Sequence, residues 1–154
     1  LIVDMPPGTG DILLTLSQQV PLTGAVVVTT PQDIALIDAK KGLRMFQKVN
    51  VPILGIIENM SVFICPHCGE VEHIFGEGGA KRMSEQYGVP LLGELPLSAK
   101  IREQADSGLP TVAAEPDGKE ALMYREMAMK VAGALARITK DYTAKMPGIR
   151  VVND

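Results

Sequence analysis

Short apolar runs rich in β-branched residues alternate along this chain with segments whose apolar positions recur every three or four residues. The runs are "LIVDM" (1–5), "GAVVVTT" (24–30), "VPILGIIENM" (51–60) and "VPLLGELP" (89–96), bounded by turn residues. Near-continuous apolar strands of this kind belong to parallel sheets covered on both faces. The segments between them predict helices. Asp11 can cap one that runs to about Val20, where Pro21 stops it. The next spans 33–49, with Leu36, Ala39, Leu43 and Phe46 on one face. A third begins at Gly78–Gly79 and ends at Gly88, and "SAKIREQADSG" forms a fourth closed by Gly108. The last, about 118–142, carries Tyr124, Ala128, Val131, Leu135, Ile138 and Tyr142 on one stripe, read as packing on a sheet. The order of elements predicts an α/β, doubly wound, mostly parallel sheet. Residues 1–142 are read as one domain and 143–154, "TAKMPGIRVVND", as a loose tail.

One segment breaks the rhythm. Between strand 51–60 and the helix at 79–87 lie residues 61–78, with both cysteines, both histidines and three glycines. A loop of that length in a compact α/β domain is usually functional or mobile. It follows the carboxyl end of a strand, where ligands of doubly wound sheets bind.

Composition narrows the possibilities. The chain has 154 residues, 46% of them hydrophobic and 21% charged, a soluble globular balance in a single domain. A net charge of −3 advertises no basic face, so no nucleic-acid partner is expected. Runs such as "PILGII" are too short to span a bilayer, and no membrane association is expected. Nothing at the start has the charged and apolar regions of a secretory signal, which makes a cytoplasmic setting the expectation. Two cysteines in such a chain point to metal or catalytic use rather than a structural disulfide. The chain opens directly on an apolar strand that needs neighbours on both sides, so it is read as a fragment lacking its N-terminal part.

Three stretches carry candidate chemistry. In "LIVDMPPGTGD", Asp4 ends an apolar strand before a Gly-rich turn. An Asp so placed can hold a magnesium ion opposite nucleotide phosphates, or it can simply end a strand before a Pro-Pro-Gly turn. The G-x-x-x-x-G-K-[ST] loop that should accompany the first role is not in the sequence. "GEGGAKRMS" (76–84) resembles it but lacks the Gly-Lys-Ser/Thr ending, and is read as a flexible hinge into a helix. The third stretch is "FICPHCGEVEH", with Cys65 and Cys68 two residues apart. A zinc knuckle, a dithiol redox pair and an iron–sulfur ligand pair all use this spacing. Zinc wants four ligands, and Cys65, Cys68 and His73 make only three, with His67 a poorer candidate. A redox motif should open a helix, which Gly69 and "EVEHIFGEGG" do poorly.

Six ordered blocks, "LIVDMPPGTGD", "TTPQDIALIDAKKG", "GIIENMS", "CPHCG", "IFGEGGA" and "LPLSAKIREQADSGLP", together resemble the carboxyl-terminal part of an Mrp/ApbC-type iron–sulfur cluster carrier. These are deviant-Walker P-loop ATPases related to MinD and to the nitrogenase iron protein. The resemblance covers about residues 1–140 and implies a P-loop NTPase fold whose first strand and phosphate loop lie outside this chain. It implies that Asp4 is the Walker B aspartate, Gly8 the glycine of the γ-phosphate-sensing loop and Asp11 the acid closing that loop, where a helix cap is the plain alternative. Asn59 would read the adenine edge, with Pro96 and Leu97 of "LPLS" beside it, while Thr29 and Thr30 are strand-end structure. Cys65 and Cys68 would hold a [4Fe–4S] cluster bridging a homodimer, since two chains pool four thiolates. ATP and magnesium would be the intact protein's other ligands, and apo iron–sulfur proteins its clients. Without the phosphate loop, the chain alone is expected not to hydrolyse ATP. The rivals are a zinc-binding dimerisation module without ATPase activity and a MinD-like positioning ATPase.

Overall fold

The computed structural model describes residues 1–5 and 11–138. In chain order its first elements are α1 (Asp11–Gln19), β1 (Ala25–Thr29), α2 (Asp33–Lys48), β2 (Ile53–Glu58), β3 (Phe63–Ile64) and β4 (Val71–Glu72). There follow α3 (Gly79–Tyr87), β5 (Leu91–Glu94), α4 (Ala99–Asp106), α5 (Thr111–Ala114) and α6 (Lys119–Ala136). β1, β2 and β5 make a parallel sheet in that order, and β3 pairs with β4 in a separate antiparallel hairpin. No helix among the described residues is long and apolar enough to cross a membrane.

The α/β reading holds for the sheet and its helices. α2 buries Leu36 and Leu43 and half-buries Ala39 and Phe46, the face that the periodicity predicts. Its end is set by Asn50, whose φ of +56° lies in the left-handed region that asparagine tolerates. α3 ends on Gly88 with φ +63°, and its capping N–H bonds Ser84 O. Leu36 and Leu43 of α2, and Ala80 and Met83 of α3, pack with Val27, Ile56 and Val89 in one cluster. Leu43 and Ile56 are fully buried there.

α6 lies on the other face, and a register shift explains how. Ile56 is level with Leu91, but after the irregularity Ile57 is level with Gly93 and Glu58 with Glu94. Gly93 thus shares the face of Ile57, and a Cβ on it would sit 2.5 Å from Met127 Cγ of α6. The buried positions of α6 are Ala121 and Met127, with Tyr124 and Val131 half-buried and Ala128 and Leu135 exposed. The predicted stripe is therefore turned toward Met127, because the bare Gly93 admits that side chain. Tyr142 and the tail 143–154 lie outside the described residues.

The strand predicted at 1–5 does not form. Leu1 and Ile2 are fully exposed, and the segment is in no ladder among the described residues. Its composition is that of a buried strand, but a strand exists only through hydrogen bonds to a neighbour.

Candidate functional site

The carboxyl edge of the sheet is tied together by backbone bonds. Asn59 N–H donates to Thr29 O at 2.7 Å, Leu95 N–H to Glu58 O at 2.8 Å and Ser61 N–H to Leu95 O at 2.9 Å. The ends of β1, β2 and β5 are thereby level, and Asn59 sits beside the segment holding Pro96 and Leu97. The half-buried Asn59 accepts a 2.9 Å bond from Met60 N–H on its Oδ1, so its carbonyl oxygen is engaged by the backbone. Met60 adopts φ +56°, uncommon for a residue with a side chain. Leu97 N–H donates to Val62 O at 2.7 Å, and Leu97 bridges Phe63, so its backbone anchors the hairpin that follows β2.

That hairpin replaces the irregular loop expected at 61–78. Phe63 pairs with Glu72 and Ile64 with Val71, strands of two residues each, too short to leave a periodic signal. At its tip Cys65 N–H donates to Glu70 O and Gly69 N–H to Cys65 O, both at 2.9 Å. Gly69 has φ +76°, with open space where a Cβ would lie, so backbone conformation and not crowding calls for glycine there. Both thiols are free, Cys65 half-buried and Cys68 exposed. Hydrogen bonds from Cys68 N–H, from His67 N–H and from the Cys68 side chain hold the Cys65 thiol below its ordinary range, against burial and the opposing charge of Glu72. The two sulfurs are neighbours at the hairpin tip, since the Cys68 side chain bonds the Cys65 thiol. His73 does not complete a metal set: its Nε2 is 3.8 Å from Glu77 Oε1, and no three metal-ligating side chains converge among the described residues.

A cleft of about 420 Å³ separates the hairpin from the sheet edge, bordered by Glu58, Ile64, His73, Lys81, Glu94 and Pro96. Glu58 forms its floor. This side chain is 1% exposed, and its Oε2 accepts a 2.6 Å bond from Ala80 N–H in the first turn of α3. Sequence reasoning passed over Glu58, though a signal was present: Leu54, Ile56 and Glu58 alternate onto one face, and a buried carboxyl requires a partner. The expected hinge at 76–84 is instead a packed joint. A Cβ on Gly79 would lie 2.7 Å from Leu36 Cδ1 and 3.1 Å from Pro31 O, so only glycine fits without displacement.

Of the predicted site residues, Asn59 and the segment with Pro96 and Leu97 both lie at the carboxyl edge of the sheet, and Cys65 and Cys68 share the hairpin tip. Asp4 is exposed in the unpaired segment 1–5 and joins neither group. Asp11 is the first residue of α1, one place inside the predicted cap, and Gly8 lies outside the described residues.

A family model described as the NUBPL iron-transfer P-loop NTPase, of the ParA kind, matches residues 1–132. An iron-sulfur cluster carrier protein of Escherichia coli is 60% identical over 135 residues, which are 88% of this chain and 37% of that protein. The iron-sulfur cluster transfer protein NUBPL of Dictyostelium discoideum is 50% identical over 141 residues, 92% of this chain and 44% of its own length. Among solved structures, a nucleotide-binding protein of Archaeoglobus fulgidus in complex with ADP superposes with a TM-score of 0.64 at 34% identity, covering 78% of this chain and 48% of that one. The chain spans less than half the length of the curated relatives it matches. With blocks from the strand ends to the thiol hairpin falling inside the matched residues, this chain belongs to the iron-transfer P-loop NTPase family.

Proposed function

We propose that this chain is the cluster-holding part of an ATP-dependent iron–sulfur carrier that delivers its cargo to apoproteins in the cytoplasm. Cys65 and Cys68 take the cargo, a [4Fe–4S] cluster, jointly with the same pair of a second copy. One observation carries this reading: a free thiol pair, one half-buried and one exposed, on a pinned hairpin, with no third ligand converging on it among the described residues. Two thiolates per chain are half of what a cubane needs, and a two-fold axis supplies the rest. The carrier and transfer names of the relatives point the same way.

On the nucleotide side, Asn59 offers its amide NH₂ to the adenine edge, and Pro96 and Leu97 flank the base. Asp4, Gly8 and Asp11 serve magnesium and the γ-phosphate. The ADP named for the Archaeoglobus fulgidus neighbour supports a nucleotide ligand for this fold. The sequence holds no G-x-x-x-x-G-K-[ST] loop, whose backbone N–H groups and Lys supply most phosphate affinity. Calorimetric titration of this chain with Mg-ATP should therefore give no sub-millimolar binding. Hydrolysis is a property expected of the complete ATPase, with residues 1–142 contributing one part of a single domain.

Anaerobic reconstitution tests the cargo assignment. The expected product is a dimer with about four irons and four sulfides. A dimer with one zinc and no sulfide would replace this reading with a zinc-based dimerisation module.

A further inference from the structure

The thiol loop has two roots on the sheet, and they are built differently. At its start, Ser61 bonds Leu95 O through both N–H, at 2.9 Å, and Oγ, at 3.1 Å, while Val62 O accepts from Leu97 N–H. That root would survive most side-chain changes. At its return, residues 76–80 meet the sheet through Glu58. Gly78, the residue before α3, gives no side-chain cap, so Glu58 supplies from β2 the oxygen that a cap would provide. A negative group is favoured at that helix end, and the bond reaches 22 positions along the chain. Around it the fit is close. A Cβ on Gly79 would lie 3.3 Å from Glu58 Oε2 and 3.1 Å from Pro31 O. The return is thus seated on the turn after β1 and on the last residue of β2, which is followed directly by Asn59.

We propose that Glu58 is a positioning residue for the thiol pair: its buried carboxyl fixes the return of the loop to the strand end that carries Asn59. Displacement of that strand end is then passed to Cys65 and Cys68 through the first turn of α3. This deepens the carrier reading, on which its meaning for cargo rests.

Hydrogen exchange on this chain, followed residue by residue, tests the linkage without any cargo. Glu58→Ala should speed exchange about tenfold or more at Ala80 and through the loop 65–78, because the Ala80 N–H loses a strong acceptor. The amides of β1 and the first half of β2 should keep their protection. Glu58→Gln keeps an acceptor oxygen at the same reach and should restore most of it. Glu58→Asp, one methylene shorter, should not. After anaerobic reconstitution, release of iron to a chelator should be about tenfold faster in the Ala and Asp variants and near the parent's in Gln. Faster exchange confined to 78–81, with unchanged iron release, would reduce Glu58 to a helix cap and overturn the proposal. If Glu58→Ala does not fold, the Asp and Gln variants decide, and equal behaviour of the two overturns it. A parent chain that holds no iron, while its loop exchange still follows residue 58, ends the carrier reading and supports the linkage.

Discussion

Around Leu43 and Ile56 the molecule withdraws its side chains from water; around Cys65 and Cys68 it presents them. The first region is fully buried and joined by three parallel strands with two helices across one face. The second is a two-rung hairpin on which Ile64, Cys68 and Val71 are exposed and whose tip is held by two backbone bonds and a left-handed glycine. Burial supplies stability in the first, at about 1.5–3 kcal/mol for each large side chain. In the second almost nothing is buried, and its geometry is borrowed from the sheet edge through Leu97 and Glu58. Under the proposed carrier function this division is useful, since the packed contacts of the core need not be broken for cargo to exchange. Changes to one region should therefore read out differently from changes to the other.

The largest expected effect falls on the exposed region alone. In the proposed two-chain site, Cys65→Ser or Cys68→Ser removes two of the four ligands and should abolish iron loading. Stability should move by no more than about 0.5 kcal/mol, as is usual away from packed features. Iron and sulfide analysis beside urea denaturation checks both halves. A serine variant that unfolds the sheet would break the separation between the regions.

The converse change is Leu43→Ala. It leaves a cavity at a fully buried position and should cost about 2–5 kcal/mol in urea denaturation. Reconstitution well below the new midpoint should still load the full complement of iron.

How much of this could be read beforehand differs between the regions for the same physical reason. The core writes itself into the sequence as period: the α2 face of Leu36, Ala39, Leu43 and Phe46 needs no knowledge of distant residues. The thiol pair was legible as a motif, because Cys-x-x-Cys spacing is a local feature. Three things depended on partners far along the chain. The segment 1–5 has strand composition but gains no ladder, and the face of α6 is set by the bare Gly93. Glu58 is understood only when Ala80, 22 positions on, is brought to it. Two-residue strands such as β3 and β4 are too short to write any period at all.

Gly79→Ala probes the joint between the two regions and should show an intermediate effect on both. The new methyl must displace Leu36 Cδ1 at 2.7 Å and press on Pro31 O at 3.1 Å. Overpacking of this kind costs about 1–3 kcal/mol. Because α3 begins here, iron release from the thiol pair should quicken as stability falls. Release unchanged despite the lost stability would mean that the hairpin is held by its Leu97 root alone.

The smallest expected effect is at His73, and it separates a shared site from a self-contained one. His73 is exposed, and its Nε2 stands 3.8 Å from Glu77 Oε1, beyond hydrogen-bond length. An exposed pair at that distance contributes little, so His73→Ala should change stability by less than about 0.5 kcal/mol. Four thiolates from two chains already satisfy a cubane, so iron per dimer and dimerisation should also stay at the parent's values. A zinc site closed within one chain has the opposite need. With only Cys65 and Cys68 as thiolates it must draw on His73, swinging it from Glu77 across to the hairpin tip. Metal content measured together with the mass of the species in solution tells the two apart. A monomer that carries zinc and loses it on His73→Ala would show that the hairpin completes its own ligand set, and the two-fold arrangement would fall.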